Sequence, residues 1–186
     1  MSRIFCLETE WKQNVHDLKY QSSVISLLEF IKNSKGVDYI FRHVATTVDF
    51  EYYINHLNYD TYNSYDTVYL CFHGLPQSIE LANGGSINLK DFAKKNKDVF
   101  KGKNVHFGCC STLDMEEEDI KFFKKETGAR MVTGYKKDVE FVNSFIFELW
   151  LLNEILNHPD YAQKRILNLA ETQMPYFAKE FKFVAY

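Results

Sequence analysis

Short apolar runs alternate with stretches of helical periodicity along the chain. Residues 3–7 (RIFCL), 38–44 (DYIFRHV), 66–72 (DTVYLCF), 104–107 (NVHF) and 130–134 (RMVTG) are compact, mostly apolar segments. They have the length and composition of buried strands rather than helices. Between them, residues 22–35 (SSVISLLEFIKNSK) space their apolar positions helically, from a serine start to a stop at Gly36. Residues 48–57 show the same period. A helix over 115–127 carries negative charge at Glu116–Asp119, where the helix dipole favours it, and ends at Gly128. A long apolar helix over 139–157 ends before Pro159. Another spans 161–179 with a break at Pro175, and residues 181–185 form a last edge strand.

One stretch differs in kind. Residues 78–92 (SIELANGGSINLKDF) alternate around Asn83-Gly84-Gly85, which predicts a hairpin, and Leu89 then opens a short helix. Strands alternating with helices predict an α/β sandwich with a mostly parallel sheet. There is no repeat, low-complexity tract or linker, so residues 1–186 are expected to form one domain.

Composition narrows the function classes. A chain of 186 residues can bury a full core, and its 16 Phe and 12 Tyr predict a ring-rich one. The net charge is -3 with dispersed basic residues, which argues against nucleic acid as a partner. No run approaches the roughly 20 apolar residues of a membrane helix, so no membrane partner is expected. The first residues, an apolar run broken by Glu8 and Glu10, resemble neither a signal peptide nor an anchor. A reducing, cytoplasmic setting follows, in which Cys6, Cys71, Cys109 and Cys110 are thiols rather than disulfides.

In parallel sheets, sites form beyond the carboxyl ends of the strands. Three polar clusters fall there: Glu8, Glu10 and Trp11 after the first strand, His73-Gly74 after the third, and Cys109-Cys110 after the fourth. Adjacent strands would bring an imidazole and a thiol to one edge. A neighbouring histidine and a following helix N-terminus both favour the nucleophilic thiolate. Gly74 permits a tight turn beside His73, and Gly108 a close approach of substrate to backbone.

The order of these motifs resembles the caspase–clostripain–separase superfamily, and most closely its CHAT branch. An apolar strand runs into His73-Gly74, then a hairpin with Gly84-Gly85 and Ile87-x-Leu89-x-Asp91-Phe92. A further strand enters Gly108-Cys109-Cys110-Ser111-Thr112, and Gly128-Ala129-Arg130 opens the next. The resemblance spans residues 66–152. It implies a caspase-like α/β/α sandwich and a cysteine endopeptidase with His73 as general base and then acid. Cys110 takes the nucleophile position, Cys109 the alanine position before it, and Thr112 the Thr two beyond. The doubled cysteine departs from the family pattern, so Cys109 stands as the alternative nucleophile. The resemblance also implies the amides of Gly74 and Cys110 as oxyanion contacts.

Substrate contacts in the superfamily come from residues after the first strand and after the strand beyond the cysteine. Here these are Glu8, Glu10 and Trp11, with Tyr135 to Asp138. Carboxylates there would pair with a basic P1 side chain; either glutamate could instead be merely solvated. Without a long linker between Cys110 and Met131, control is expected from an activating partner or a nucleotide-type second messenger. By analogy, the chain would be a bacterial phage-defence or regulated-death effector. The alternatives are a non-catalytic module binding a small ligand or partner peptide, and a cysteine hydrolase or transferase on a non-peptide acyl group.

No cofactor or metal is expected, since the spacing holds neither CxxC nor HxxxH. Cys6 and Cys71 belong to apolar strands, and the ring-rich segment 141–150 to core packing. His16, His43, His56 and His158 have no companions that suggest chemistry, and Lys121, Lys124 and Lys125 mark a solvated helix face.

Overall fold

A computed structural model describes residues 2–11 and 23–186. The proposed start of the first helix at Ser22 and the role of His16 lie outside these residues. The strands are β1 (Ile4–Glu8), β2 (Tyr39–His43), β3 (Thr67–Cys71), β7 (Asn104–Phe107), β8 (Met131–Tyr135) and β9 (Phe183–Ala185), with β4 (His73–Leu75), β5 (Ser78–Glu80) and β6 (Ser86–Asn88) set apart between β3 and β7. They build a six-stranded sheet in the order β2-β1-β3-β7-β8-β9. All pairings are parallel except β8 with β9. The expected mostly parallel α/β sheet is therefore present, with the last strand added antiparallel at its edge.

Alternation along the strands sorts side chains to the two faces. Phe5, Leu7, Val68, Leu70, Val105, Phe107 and Val132 point to one face. There they pack under α2 (Thr47–Asn55), α3 (Leu89–Lys95) and α4 (Glu117–Thr127). Ile4, Cys6, Tyr69 and Cys71 point to the other, against α1 (Ile25–Lys35) and α5 (Phe141–Asn157). Met131 and Tyr135 join α5, α6 (Gln163–Gln173) and α7 (Pro175–Glu180) on that same side. Both faces are covered, which is why β1, β3, β7 and β8 are buried along their whole length, while the edge strand β2 is partly exposed. Among the described residues no helix is long and apolar enough to cross a membrane.

Local chemistry sets the helix ends. Thr46 Oγ1 accepts from Asp49 N at 3.1 Å while Asp49 Oδ2 accepts from Thr46 N at 3.1 Å, a capping box that starts α2. Asn88 Oδ1 accepts from Lys90 N and Asp91 N to start α3. α4 begins at Glu117, slightly later than expected, and still carries Glu117, Glu118 and Asp119 in its first turn. Pro175 splits the expected last helix into α6 and α7.

The expected hairpin is present between β5 (Ser78–Glu80) and β6 (Ser86–Asn88). It has an additional strand, β4 (His73–Leu75), antiparallel to β5 and making a small three-stranded sheet. The polypeptide thus leaves the main sheet at Phe72 and enters a second sheet with His73 as its first residue.

Candidate active site

The turn from β3 into β4 is locked to the loop after β7. A Cβ on Gly74 would stand 1.8 Å from Cys110 O and 2.3 Å from Thr112 Oγ1. Only a glycine admits that contact. The two segments are also hydrogen-bonded: Gln77 N donates to Thr112 O at 3.1 Å, and Thr112 Oγ1 reaches Ser78 O at 3.2 Å. This interlock puts Gly74, the residue after His73, against Cys110 at the carboxyl edge of the sheet.

His73 is oriented by backbone and by a ring. Its Nε2 lies 3.1 Å from Glu10 O. A carbonyl can only accept, so Nε2 carries the hydrogen and Nδ1 of the neutral ring keeps its lone pair. The Trp11 ring stands edge-on to His73 and to Phe141, each at a centroid distance of 5.6 Å. Trp11 is itself fixed by donating from Nε1 to Glu8 Oε1 at 2.7 Å.

The adjacent cysteines have different surroundings. Cys109 is fully buried; its thiol donates to Leu70 O at 3.2 Å and accepts from Phe72 N at 3.3 Å. Burial pushes its pKa well up. Cys110 is only partly buried. Its Sγ donates to Val139 O at 3.5 Å and accepts from Val139 N at 3.4 Å. Burial also raises the Cys110 pKa, the Val139 amide lowers it, and the Asp138 charge raises it. No hydrogen bond joins Cys110 to His73. The Cys110 amide donates to no other residue among those described and faces its own thiol, whose pKa it lowers.

Other expected site residues are placed differently. Glu8 is 0% exposed. Its carboxylate accepts from Trp11 Nε1, Ser23 Oγ and, at 2.8 Å, the amide of Val24, the residue that caps the start of α1. Burial raises its pKa against those bonds. Glu8 is therefore an anchor for the helix start and for Trp11, with no oxygen turned to a substrate. Tyr135 is also buried, on the α5 side of the sheet, and donates to Glu148 Oε1 at 3.1 Å. The alternation that brings Met131 and Tyr135 to α5 removes it from any cleft. Glu10 and Asp138 remain exposed.

Gly108 meets a wall of the interior rather than a substrate. A Cβ there would lie 2.8 Å from Tyr69 Cε2 and 2.9 Å from Glu148 Oε1. Glu148, on α5 and 2% exposed, accepts from both Tyr69 and Tyr135 hydroxyls. His106 Nδ1 lies 3.0 Å from Thr133 Oγ1 and its Nε2 3.7 Å from Glu148 Oε1. Sequence reasoning missed this polar cluster because Glu148 sits in an apolar helix whose period gave no sign of partners. Among the described residues no three His, Cys, Asp or Glu side chains converge as a metal site.

A fastening in the loop after β8 was also not foreseen. Ser111, with φ of 41°, donates from Oγ to Asp138 Oδ1 at 2.9 Å and from N to Lys137 O at 2.9 Å. A non-glycine residue in this left-handed region is held there by its surroundings.

The family model that matches residues 1–160 is described as a family of unknown function (DUF6642), and the chain belongs to that family. No curated protein matches. Among solved structures, the chain is similar to the crystal structure of caspase-1 from Spodoptera frugiperda. The match has a TM-score of 0.52 at 10% identity, over 90% of this chain and 73% of that one. At this identity the likeness shows the fold, a caspase-like arrangement of helices on a mostly parallel sheet.

Proposed function

We propose that this chain is a caspase-like cysteine endopeptidase with Cys110 as nucleophile and His73 as its base. The observation that carries this reading is the Gly74 interlock, in which the residue next to His73 lies against the Cys110 carbonyl and the Thr112 hydroxyl. The His73 tautomer supports it, because Nε2 is tied to Glu10 O and Nδ1 is left to take a proton. The burial of Cys109, with its thiol bonded to the backbone of Leu70 and Phe72, supports the choice of Cys110.

In the proposed reaction the Cys110 thiol gives its proton to His73 Nδ1, and the thiolate adds to the scissile carbonyl carbon. The oxyanion is met by the Cys110 amide, with Gly74 implied by the family resemblance. Collapse expels the amine, which takes the proton from His73, and leaves a thioester on Cys110. Water, deprotonated by His73, then hydrolyses it. Glu10 and Asp138, the exposed carboxylates on either side, favour a basic P1 residue. The motif order supports a place nearest the CHAT branch, and an activating partner or messenger as the means of control.

The test is cleavage of fluorogenic peptides bearing P1 Arg, Lys or Asp. Wild type is expected to prefer Arg and Lys, and Cys110→Ala to be inactive. His73→Ala should lose about 10²–10⁴-fold in rate. Activity that survives Cys110→Ala but is lost in folded Cys109→Ala would overturn the assignment. A second reading, a non-catalytic module binding a peptide or small ligand, is favoured by one observation: the thiol is engaged by Val139 and not by His73. Absence of both cleavage and covalent labelling would support it.

A further inference from the structure

The segment 137–139 is fastened to the cysteine loop at successive residues. Lys137 O accepts from Ser111 N at 2.9 Å, and Asp138 Oδ1 accepts from Ser111 Oγ at 2.9 Å. Val139 O and N both engage Cys110 Sγ, at 3.5 and 3.4 Å. The thiol therefore has its donor and its acceptor committed to the backbone of one residue, Val139, and its proton is directed at Val139 O rather than at the imidazole. A thiol so held must be released before His73 can deprotonate it.

Asp138 stands at the outer end of this strap. It is exposed, and among the described residues its carboxylate accepts a single side-chain bond, from the neutral Ser111 hydroxyl. A guanidinium takes a carboxylate through two parallel, charge-assisted bonds, which are about twice as strong as neutral ones. We infer that Ser111 and Asp138 are positioning residues that hold the Cys110 thiol in a masked state, and that a basic side chain binding Asp138 unfastens the strap. The incoming cation would displace the Ser111 hydroxyl and free segment 137–139 to withdraw its hold on Sγ. It would also neutralise the carboxylate whose charge opposes the thiolate. Recognition of a basic residue and exposure of the nucleophile are then one event.

This inference rests on the reading of Cys110 as the reactive thiol, and its test needs no peptide cleavage. Alkylation of Cys110 by iodoacetamide, in which the thiolate displaces iodide, is followed by intact mass, with Cys110→Ala giving the background. N-acetyl-argininamide is the cationic probe and N-acetyl-glutaminamide its uncharged control. The expected result is an acceleration of at least about threefold with the arginine probe alone, from the larger thiolate fraction of a released thiol. Asp138→Asn and Ser111→Ala should each be alkylated faster than wild type without any probe. Asp138→Asn should no longer respond to N-acetyl-argininamide, a readout that general loosening of the loop would not produce. A wild-type rate indifferent to the arginine probe would overturn the inference, as would an unchanged basal rate in either variant. Failure of these arms alongside P1-Arg cleavage would sink the strap and leave the peptidase reading standing; the reverse outcome would do the opposite.

Discussion

Adding one carbon at position 74 would bring a Cβ to 1.8 Å from Cys110 O, inside any contact distance. Gly74→Ala must therefore push β4 away from the cysteine loop and separate His73 from Cys110. The expected cost is about 1–3 kcal/mol of stability, as for other overpacked sites, read as a lower denaturant midpoint. Loss of peptidase activity in the folded variant should go with it. The Cys110 thiol supplies a second test at this scale. Burial first, and the charge of Asp138 after it, raise its pKa from the ordinary 9.0, with the Val139 amide opposing. The thiolate appears only as pH rises through that raised value, so alkylation of the resting protein should still be climbing above pH 9. A rate that levels off near neutral pH would show a thiolate already stabilised. The sequence made His73 and Cys110 legible because each ends an apolar strand next to a glycine or a small residue. It could not distinguish the two thiols energetically, since that depends on Phe72 N and Leu70 O reaching Cys109 across the sheet.

Two carboxylates in the elements around the site hold structure rather than substrate. Glu8, at the end of β1, ties the first turn of α1 to Trp11. Burial, the largest influence, raises its pKa, so in the folded protein the protonated form is favoured relative to the unfolded chain. Its contribution to stability is then fully present below the ordinary carboxyl range and is lost as pH rises through the folded value. The stability of wild type relative to Glu8→Gln should fall as pH is raised from 4 upward. A difference that grows with pH would contradict this. Glu148, on α5, is the shared acceptor for Tyr69 and Tyr135. Glu148→Ala leaves two buried hydroxyls without a partner, each costing about 1–3 kcal/mol. Chemical denaturation should show a combined loss of at least about 2 kcal/mol, and no loss would mean that water or another group replaces the carboxylate. The strands and helices were readable because both sheet faces are covered and the apolar runs are unbroken. β4 was not, because three residues containing His73 and Gly74 carry no periodicity. Nor did the sequence separate Glu8 from Glu10: adjacent strand-end carboxylates differ only in which way the backbone turns them.

At the scale of the molecule, a caspase-like sheet places the ends of β1, β3, β7 and β8 along one edge. Glu10, His73, Cys110 and Asp138 follow those strands in turn, so the fold itself arrays a carbonyl, the imidazole it orients, a thiol and an acid. The order was visible in the sequence as polar clusters after apolar runs; the resting engagement of the thiol by Val139 was not, because it is made by backbone. The proposal that Cys110 is a nucleophile activated by His73 can be read out with an acyloxymethyl-ketone probe bearing a P1 arginine, followed by mass mapping of the modified residue. The expected result is a single adduct on Cys110 that is lost or greatly slowed in His73→Ala. Labelling of Cys109, or labelling of Cys110 at an undiminished rate in His73→Ala, would contradict it.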